Sequence, residues 1–343
     1  MTADPGQALF GKLCAQCHGA DAKGYKSDHA PSLINPTFLA SATDEFLQSS
    51  ITYGRPGTPM AGYGKEVGGP LDAAAVGSIV HWLRGQGKPA EPLAAIGGGD
   101  PKKGQGLYAQ NCQKCHGDSK TRGDAVHLAN ARFLNTATDS FIAYAIVHGR
   151  PGPPMESWGM KLSDASLADI VAYVRSFATP DAVGSLPPPT GKEPLFINPD
   201  GKPPADFKLT ADPGQKPRYV SIEQVKKALD QHRKLIIIDA RPPSDWMRVH
   251  ITGAVSIPYH DMKRLDEIPK DAWVIAYCAC PHHLSGIVVD ELQKRGYPHA
   301  LVLDEGILEW HRRGYPVVAA PGVTPPPAEA PSQGLVPVNA SPR

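Results

Sequence analysis

The chain has almost no excess of either charge. Over 343 residues, 35 Lys and Arg face 34 Asp and Glu. Residues 1–90 carry seven basic and seven acidic side chains, residues 91–180 nine and eight, and the remainder nineteen and nineteen. No segment has the basic surplus that would draw nucleic acid or an anionic membrane surface, so both are excluded as partners on this ground. Long apolar runs are missing too. Leu235-Ile236-Ile237-Ile238 has the length of a buried strand, far short of the roughly 20 residues of a membrane span. Cysteine is scarce, with six in all, yet four of them fall into two matching pentads.

The pentads are Cys14-Ala15-Gln16-Cys17-His18 and Cys112-Gln113-Lys114-Cys115-His116. Two thiols three residues apart can each add to one haem vinyl group, and the His that follows reaches the iron as proximal ligand. A Cys-x-x-Cys pair alone would serve equally as a zinc half-site or a redox dithiol. Neither needs the adjacent His, and neither explains two copies. The pattern predicts two covalently bound haem c groups.

Each pentad is followed by a matching loop, Tyr53-Gly54-Arg55-Pro56-Gly57-Thr58-Pro59-Met60 and His148-Gly149-Arg150-Pro151-Gly152-Pro153-Pro154-Met155. Proline fixes φ and restricts the residue before it, so such a loop presents its Met rigidly. A lone Met is usually core filler, but two at the same place in two repeats point to sixth ligands. His18 and Met60 would then hold one iron, and His116 and Met155 the other. Met opposite His favours reduced iron, which suits electron transfer more than oxygen binding. Arg55 and Arg150 sit where each could donate to a haem propionate; the alternative is a solvated loop charge.

With these motifs the chain resembles class I cytochrome c domains in tandem, over about residues 4–90 and 100–180. Short opening helices, Pro5–Phe10 and Lys103–Tyr108, match closing helices at Leu71–Arg84 and Leu162–Phe177. In the last of these, Leu167, Ile170, Val171 and Val174 form one apolar stripe, with Ser163 or Asp164 available as cap. The family's first and last helices cross above the haem, which would pair Phe10 with Trp82 and Tyr108 with Tyr173. The internal repeat divides this part into all-α domains at 1–90 and 91–180. Haem of this type is attached outside the cytoplasm, in the bacterial periplasm or an equivalent compartment. Because Met1-Thr2-Ala3-Asp4-Pro5 shows no basic n-region or apolar h-region, the expectation is an exported protein whose signal sequence is trimmed or whose start is misassigned.

Residues 181–217 change character, with ten prolines from Pro180 through Pro217 inclusive; they read as an extended, semi-rigid linker with little to bury. The tail at 321–343 reads as Pro-rich and disordered. Between them, 218–320 alternates strand and helix, with Leu235–Ala240, Trp273–Tyr277 and Ala300–Leu303 as strands and Ile287–Lys294 and Leu308–Arg313 as helices. This alternation argues for an α/β domain with a parallel sheet. Ile238-Asp239-Ala240-Arg241, His250-Ile251-Thr252-Gly253-Ala254 and Asp304-Glu305-Gly306 through Trp310 resemble a rhodanese-like domain. The resemblance places the family's nucleophile at Cys278, where loop amides and a helix starting at Ser285 or Gly286 would stabilise an anion.

The loop Cys278-Ala279-Cys280-Pro281-His282-His283-Leu284-Ser285 departs from the family. It is longer by a residue and contains no Arg or Lys, and His283 stands where the anion-binding Arg is expected. Cys280, His282 and His283 are the possible assistants of Cys278; Cys280 is placed to answer an oxidised Cys278 and not to begin the chemistry. The same four residues include soft-metal ligands for copper or zinc, although adjacent His side chains diverge. The sequence thus describes an exported dihaem cytochrome c that exchanges electrons with a redox partner protein. Oxidation or transfer of a small inorganic sulfur compound at Cys278 is linked to it. The alternatives are a plain electron carrier with an inactive docking domain, or a sulfurtransferase independent of the haems.

Overall fold

The computed structural model describes residues 4–24, 30–56, 58–87, 90–121, 123, 125–152, 154–179, 186–204, 207–279 and 282–328. Contacts gather them into two compact units, one within 4–60 and 71–179, the other within 61–70 and 186–328.

The first unit runs through the same five helices twice. They are α1 (Pro5–Leu13), α2 (Ala15–His18), α3 (Pro36–Ser41), α4 (Asp44–Tyr53) and α5 (Ala73–Gly85), then α6 (Pro101–Asn111), α7 (Gln113–His116), α8 (Ala131–Thr136), α9 (Asp139–His148) and α10 (Asp164–Arg175). Equivalent helices start with equivalent caps. Asp4 accepts from Gly6 N at 2.7 Å and Asp100 from Lys102 N at 2.9 Å, each with proline next in the chain. Thr43 and Thr138 accept from the amides of Phe46 and Phe141 at 3.1 and 3.0 Å. Asp72 and Ser163 are the caps of the closing helices, so those helices begin two residues later than the apolar pattern suggests.

In each repeat the first helix crosses the last, and the crossing is close. A Cβ built on Gly6 would collide with the carbonyl of Ser78, and one on Gly104 with the carbonyl of Asp169. Only glycine lets the two backbones touch. The expected aromatic pairs lie beside these points, with ring centroids 4.6 Å apart for Phe10 and Trp82 and 5.3 Å for Tyr108 and Tyr173. An arginine on each closing helix ties the bundle shut. Arg84 donates to Asp44 (2.7 Å), to the carbonyl of Leu39 (2.6 Å) and to that of Ala42. Arg175 does the same to Asp139, Leu134 and Ala137.

The two repeats pack on each other through four phenylalanines. Phe46 stacks on Phe141 at 4.9 Å, and Phe38 and Phe133 contact both in edge-to-face arrangements at 6.1 to 6.3 Å. Such pairs are each worth about 0.5–1.5 kcal/mol beyond their buried area. Each repeat's pattern marks these rings as apolar without revealing that they meet.

The second unit is α/β. Its strands are β1 (Tyr219–Val220), β2 (Ile236–Asp239), β3 (His250–Ile251), β4 (Val255–Ser256), β5 (Val274–Tyr277), β6 (Ala300–Leu303) and β7 (Val317–Val318). Its helices are α11 (Ile222–Asp230), α12 (Pro243–Arg248), α13 (His283–Lys294) and α14 (Gly306–Arg312). Five strands form a parallel sheet in the order β1-β6-β5-β2-β4, and β3 pairs antiparallel with β7. Strands β2 and β5 are buried along their whole length, as expected of a parallel sheet's centre. From β5 the chain turns toward β6, from β2 toward β4, so the order reverses between them.

The proline-rich stretch is more than a spacer. Ile197, Phe207 and Leu209 pack against the core of this unit, Phe207 meets Trp273 at 5.4 Å, and Glu193 pairs with Arg264 at 3.1 Å. These scattered apolar residues find partners without forming any periodic element. Ala61–Pro70 also belongs to this unit by its contacts: Ser244 Oγ donates to Gly62 O at 2.8 Å, and the hydroxyls of Tyr63 and Tyr259 lie 3.1 Å apart. The last fifteen residues of the expected tail, 329–343, lie outside the described residues.

The glycine crossing yields a matched pair of substitutions in one helix. Gly104→Ala should lower stability by about 2–3 kcal/mol through overpacking. Gly106→Ala, whose Cβ would meet open space, should raise it by about 0.5–1 kcal/mol. Thermal unfolding of the dihaem protein, followed by circular dichroism, reads both.

Candidate functional site

Each pentad folds as one helical turn. The amides of Cys17 and His18 bond the carbonyl of Cys14 at 3.1 and 3.0 Å, and those of Cys115 and His116 bond the carbonyl of Cys112 at 3.2 and 3.0 Å. Residues three apart share a face of such a turn, so each pair of sulfurs is presented together. Burial pushes the Cys14 thiol up to about 12 and the Cys112 thiol up to about 11.

The histidines provide the test of whether haem fits. His18 Nδ1 lies 2.9 Å from the carbonyl oxygen of Pro31, and His116 Nδ1 lies 2.8 Å from that of Val126. A carbonyl only accepts, so Nδ1 carries the proton in both rings and Nε2 keeps its lone pair for iron. Burial also holds both imidazoles below their ordinary range, which favours the neutral, ligating form. Both pentads therefore fit a covalently bound haem.

Met60 lies between α4 and α5, and Met155 between α9 and α10; both are half-buried. Each loop is closed on itself, because Arg55 N donates to Met60 O at 2.7 Å and Arg150 N to Met155 O at 2.9 Å. The two arginine side chains lie at the junction of the repeats. Arg55 donates to Ser50 Oγ at 2.7 Å, and its guanidinium lies 4.9 Å from the ring centre of Phe46 and 5.7 Å from that of Phe133. Arg150 donates to Thr37 Oγ1 at 3.1 Å and lies 5.5 and 6.0 Å from the rings of Phe141 and Phe38. Burial brings Arg150 down to about 10. Each arginine thus spans both repeats through cation–π contacts.

In the second unit, Cys278 follows β5 at the point where the strand order reverses, the usual place for a site in an open parallel sheet. A buried network fixes that end. Asp239 accepts from Arg241 Nε (2.9 Å), Arg241 Nη2 (2.7 Å) and Tyr277 OH (2.8 Å), while Tyr277 OH accepts from Ile251 N at 3.2 Å. Every polar atom named has a partner, so the network locks β2 to β5 instead of weakening them. Asp245 lies 3.7 Å from Arg241, and burial raises its carboxyl to about 6.

Cys278 is fully buried, with its sulfur 3.4 Å from Ser285 Oγ and its carbonyl accepting from Ile307 N at 3.0 Å. Helix α13 begins at His283, earlier than the expected Ser285 or Gly286. His282, and not His283, is the loop histidine. It adopts the left-handed backbone conformation (φ 70°), which costs a non-glycine residue about 1–2 kcal/mol. Its ring stacks on Tyr219 at 3.8 Å and its Nε2 meets Asp304 Oδ1, contacts that offset the strain. Tyr219 and Asp304 were not among the expected site residues; the only signal was their position at the ends of β1 and β6. Cys280 lies outside the described residues, and among the described residues no group of three His, Cys, Asp or Glu side chains is disposed to hold a metal ion.

Among the described residues, no helix is long and apolar enough to cross a membrane. A family model described as cytochrome C oxidase, cbb3-type, subunit III matches residues 2–83 and 99–174. A second, described as rhodanese-like domain, matches residues 221–313. The chain is similar to the Cbb3-type cytochrome c oxidase subunit CcoP of Rhodobacter capsulatus, 31% identical over 192 residues that cover 51% of this chain and 62% of that protein. It is also similar to subunit FixP of Bradyrhizobium sp. (strain ORS 278), 29% identical over 182 residues that cover 50% and 59%. The chain spans about three-fifths of the length of the curated relatives it matches. Among solved structures, a rhodanese-like domain from Anabaena sp. aligns with a TM-score of 0.30 at 21% identity, covering 37% of this chain and 98% of that one. With the pentads, the paired histidines and the parallel sheet on the page, the chain is two cytochrome c domains in tandem, with two covalently bound haem c groups, followed by a rhodanese-like domain.

Proposed function

We propose that this protein is an exported, periplasmic electron carrier in which His18 and Met60 ligate one iron and His116 and Met155 the other. The observation that carries this reading is the doubled arrangement. Each pentad histidine is held in the tautomer that ligates through Nε2, and each Met sits in a loop closed by its own backbone bond. Bound haem supplies one-electron redox chemistry at an iron whose potential His and Met ligation raise. The chain's part is to hold the ligands still, to shield the sites and to keep the two of them in one packed body. Electrons then pass between the two sites and on to a redox partner protein.

The rhodanese-like domain extends this reading to small inorganic sulfur compounds, with Cys278 as the sulfur-carrying thiol. Support comes from its place at the reversal of the sheet order, beside Ser285 and at the foot of the loop that carries His282. His282, held against Asp304 and stacked on Tyr219, is the side chain this loop offers in place of the missing arginine. A second reading, an inactive docking domain, is favoured by the complete burial of Cys278, since buried thiols are usually inert.

Two outcomes test these readings. Met60→Leu and Met155→Leu should each remove roughly half of the long-wavelength charge-transfer absorption of the oxidised protein and lower the potential of one haem only. Sulfide or thiosulfate should reduce the haems of the intact chain and fail to reduce those of Cys278→Ser. Equal reduction of both proteins favours the docking reading, and a cyanide-dependent thiocyanate assay then separates out a sulfurtransferase that ignores the haems.

A further inference from the structure

Asn35 and Asn130 occupy equivalent places, in Asn35-Pro36-Thr37-Phe38-Leu39 and Asn130-Ala131-Arg132-Phe133-Leu134. Both are helix caps. Asn35 Oδ1 accepts from the amides of Thr37 and Phe38 at 3.2 and 3.3 Å, and Asn130 Oδ1 accepts from that of Phe133 at 3.0 Å. Capping uses only the oxygen of the side-chain amide. The nitrogens reach into the other repeat. Asn35 Nδ2 donates to the carbonyl of Pro151 at 2.8 Å, and Asn130 Nδ2 donates to the carbonyl of Pro56 at 2.8 Å.

Pro151 lies four residues before Met155, and Pro56 four before Met60. Each proline is inside the loop that the Arg–Met backbone bond closes, and proline's fixed φ leaves that peptide little freedom to follow a displaced ligand. We propose that Asn35 and Asn130 are positioning residues for the sixth ligand of the opposite repeat. Asn130 holds the Met60 loop and Asn35 the Met155 loop, so each haem site is completed by its neighbour. The proposal rests on reading Met60 and Met155 as the sixth ligands.

Further contacts stand beside each clasp. Thr37 Oγ1 donates to Gly149 O at 2.8 Å and accepts from Arg150 at 3.1 Å, a second brace on the Met155 loop. In the other repeat the place of Thr37 is taken by Arg132, whose guanidinium lies 4.4 Å over the ring of Tyr53. The Met60 loop has an inner brace of its own, since Thr58 Oγ1 donates to Arg55 O at 2.7 Å and accepts from Met60 N at 3.2 Å.

The test uses the full-length dihaem protein with Asn130→Asp and Asn35→Asp, which keep a capping oxygen and remove the amide donor. The Ser variants at both positions repeat the test without added charge. In the reduced protein, ring current shifts each axial Met methyl proton signal far upfield. The two signals are assigned with Met60→Leu and Met155→Leu, and titration with carbon monoxide reports how readily each Met is displaced. Both substitutions of Asn130 should lower the carbon monoxide concentration that displaces Met60 by about five- to tenfold and leave Met155 within about twofold, the loss of one hydrogen bond. Substitutions of Asn35 should act on Met155 in the same crossed sense. Loosening confined to the variant's own repeat, equal loosening of both, or no change would overturn the clasp. Absence of two shifted methyl signals in the unsubstituted protein would overturn the ligand assignment and the clasp with it.

Discussion

The contact between the first and last helix of each cytochrome repeat governs much of what surrounds it. Helices normally stand 8–10 Å apart because side chains separate them. Here Gly6 and Gly104 let backbone meet backbone. The closing helix is thereby brought over the opening one, and the pentad follows directly from the opening helix. Cys14 and Cys112 are the C-caps of α1 and α6. The position of each haem attachment point is thus set by a packing event rather than by a flexible connection. At their far ends the closing helices are fastened by Arg84 and Arg175, whose guanidinium groups take up carbonyls at the ends of α3 and α8. Those two helices are capped by Asn35 and Asn130 and carry Phe38 and Phe133, two of the four phenylalanines of the junction. One chain of contacts therefore joins the haem-binding turn of a repeat to the surface that meets its partner repeat.

What could be read from the sequence follows from how local each signal is. The pentads, the Pro-Met loops and the aromatic pairs Phe10–Trp82 and Tyr108–Tyr173 are local or repeat at fixed spacing, and the structure has the aromatic pairs in contact. Strands β2, β5 and β6 are continuous apolar runs and were visible for that reason. Strands β1, β3, β4 and β7 have two residues each, too few for any periodicity to register. The phenylalanine junction escaped because Phe38 and Phe141 are about a hundred residues apart, and nothing in either repeat says that its apolar face has a partner. Asn35 and Asn130 are ordinary caps by sequence, and their second hydrogen bond exists only once the repeats dock. The proline-rich segment misled through composition, since Ile197 and Phe207 reach the core from a chain with no regular structure.

The rhodanese-like domain shows a different balance. Its sheet and the Asp239–Arg241–Tyr277 network are complete, and Cys278 stands at the reversal of the strand order. Its loop, however, is held by contacts of His282 with Tyr219 and Asp304 and contains no arginine. A histidine in a left-handed conformation, stacked and paired, is constrained more tightly than a surface loop needs to be. Backbone strain of this kind gathers at functional sites, and this instance lies in the loop that follows Cys278.

The central claim is that the two repeats act as one electron-carrying body, because their Met60 and Met155 loops, arginines and phenylalanines form a shared junction. Partial photoreduction of the oxidised protein, followed by the spectral exchange between the two haems, tests it most directly. The account predicts a first-order redistribution whose rate does not change when the protein is diluted. Equilibration whose rate rises in proportion to protein concentration, as in collisions between separate molecules, would contradict it.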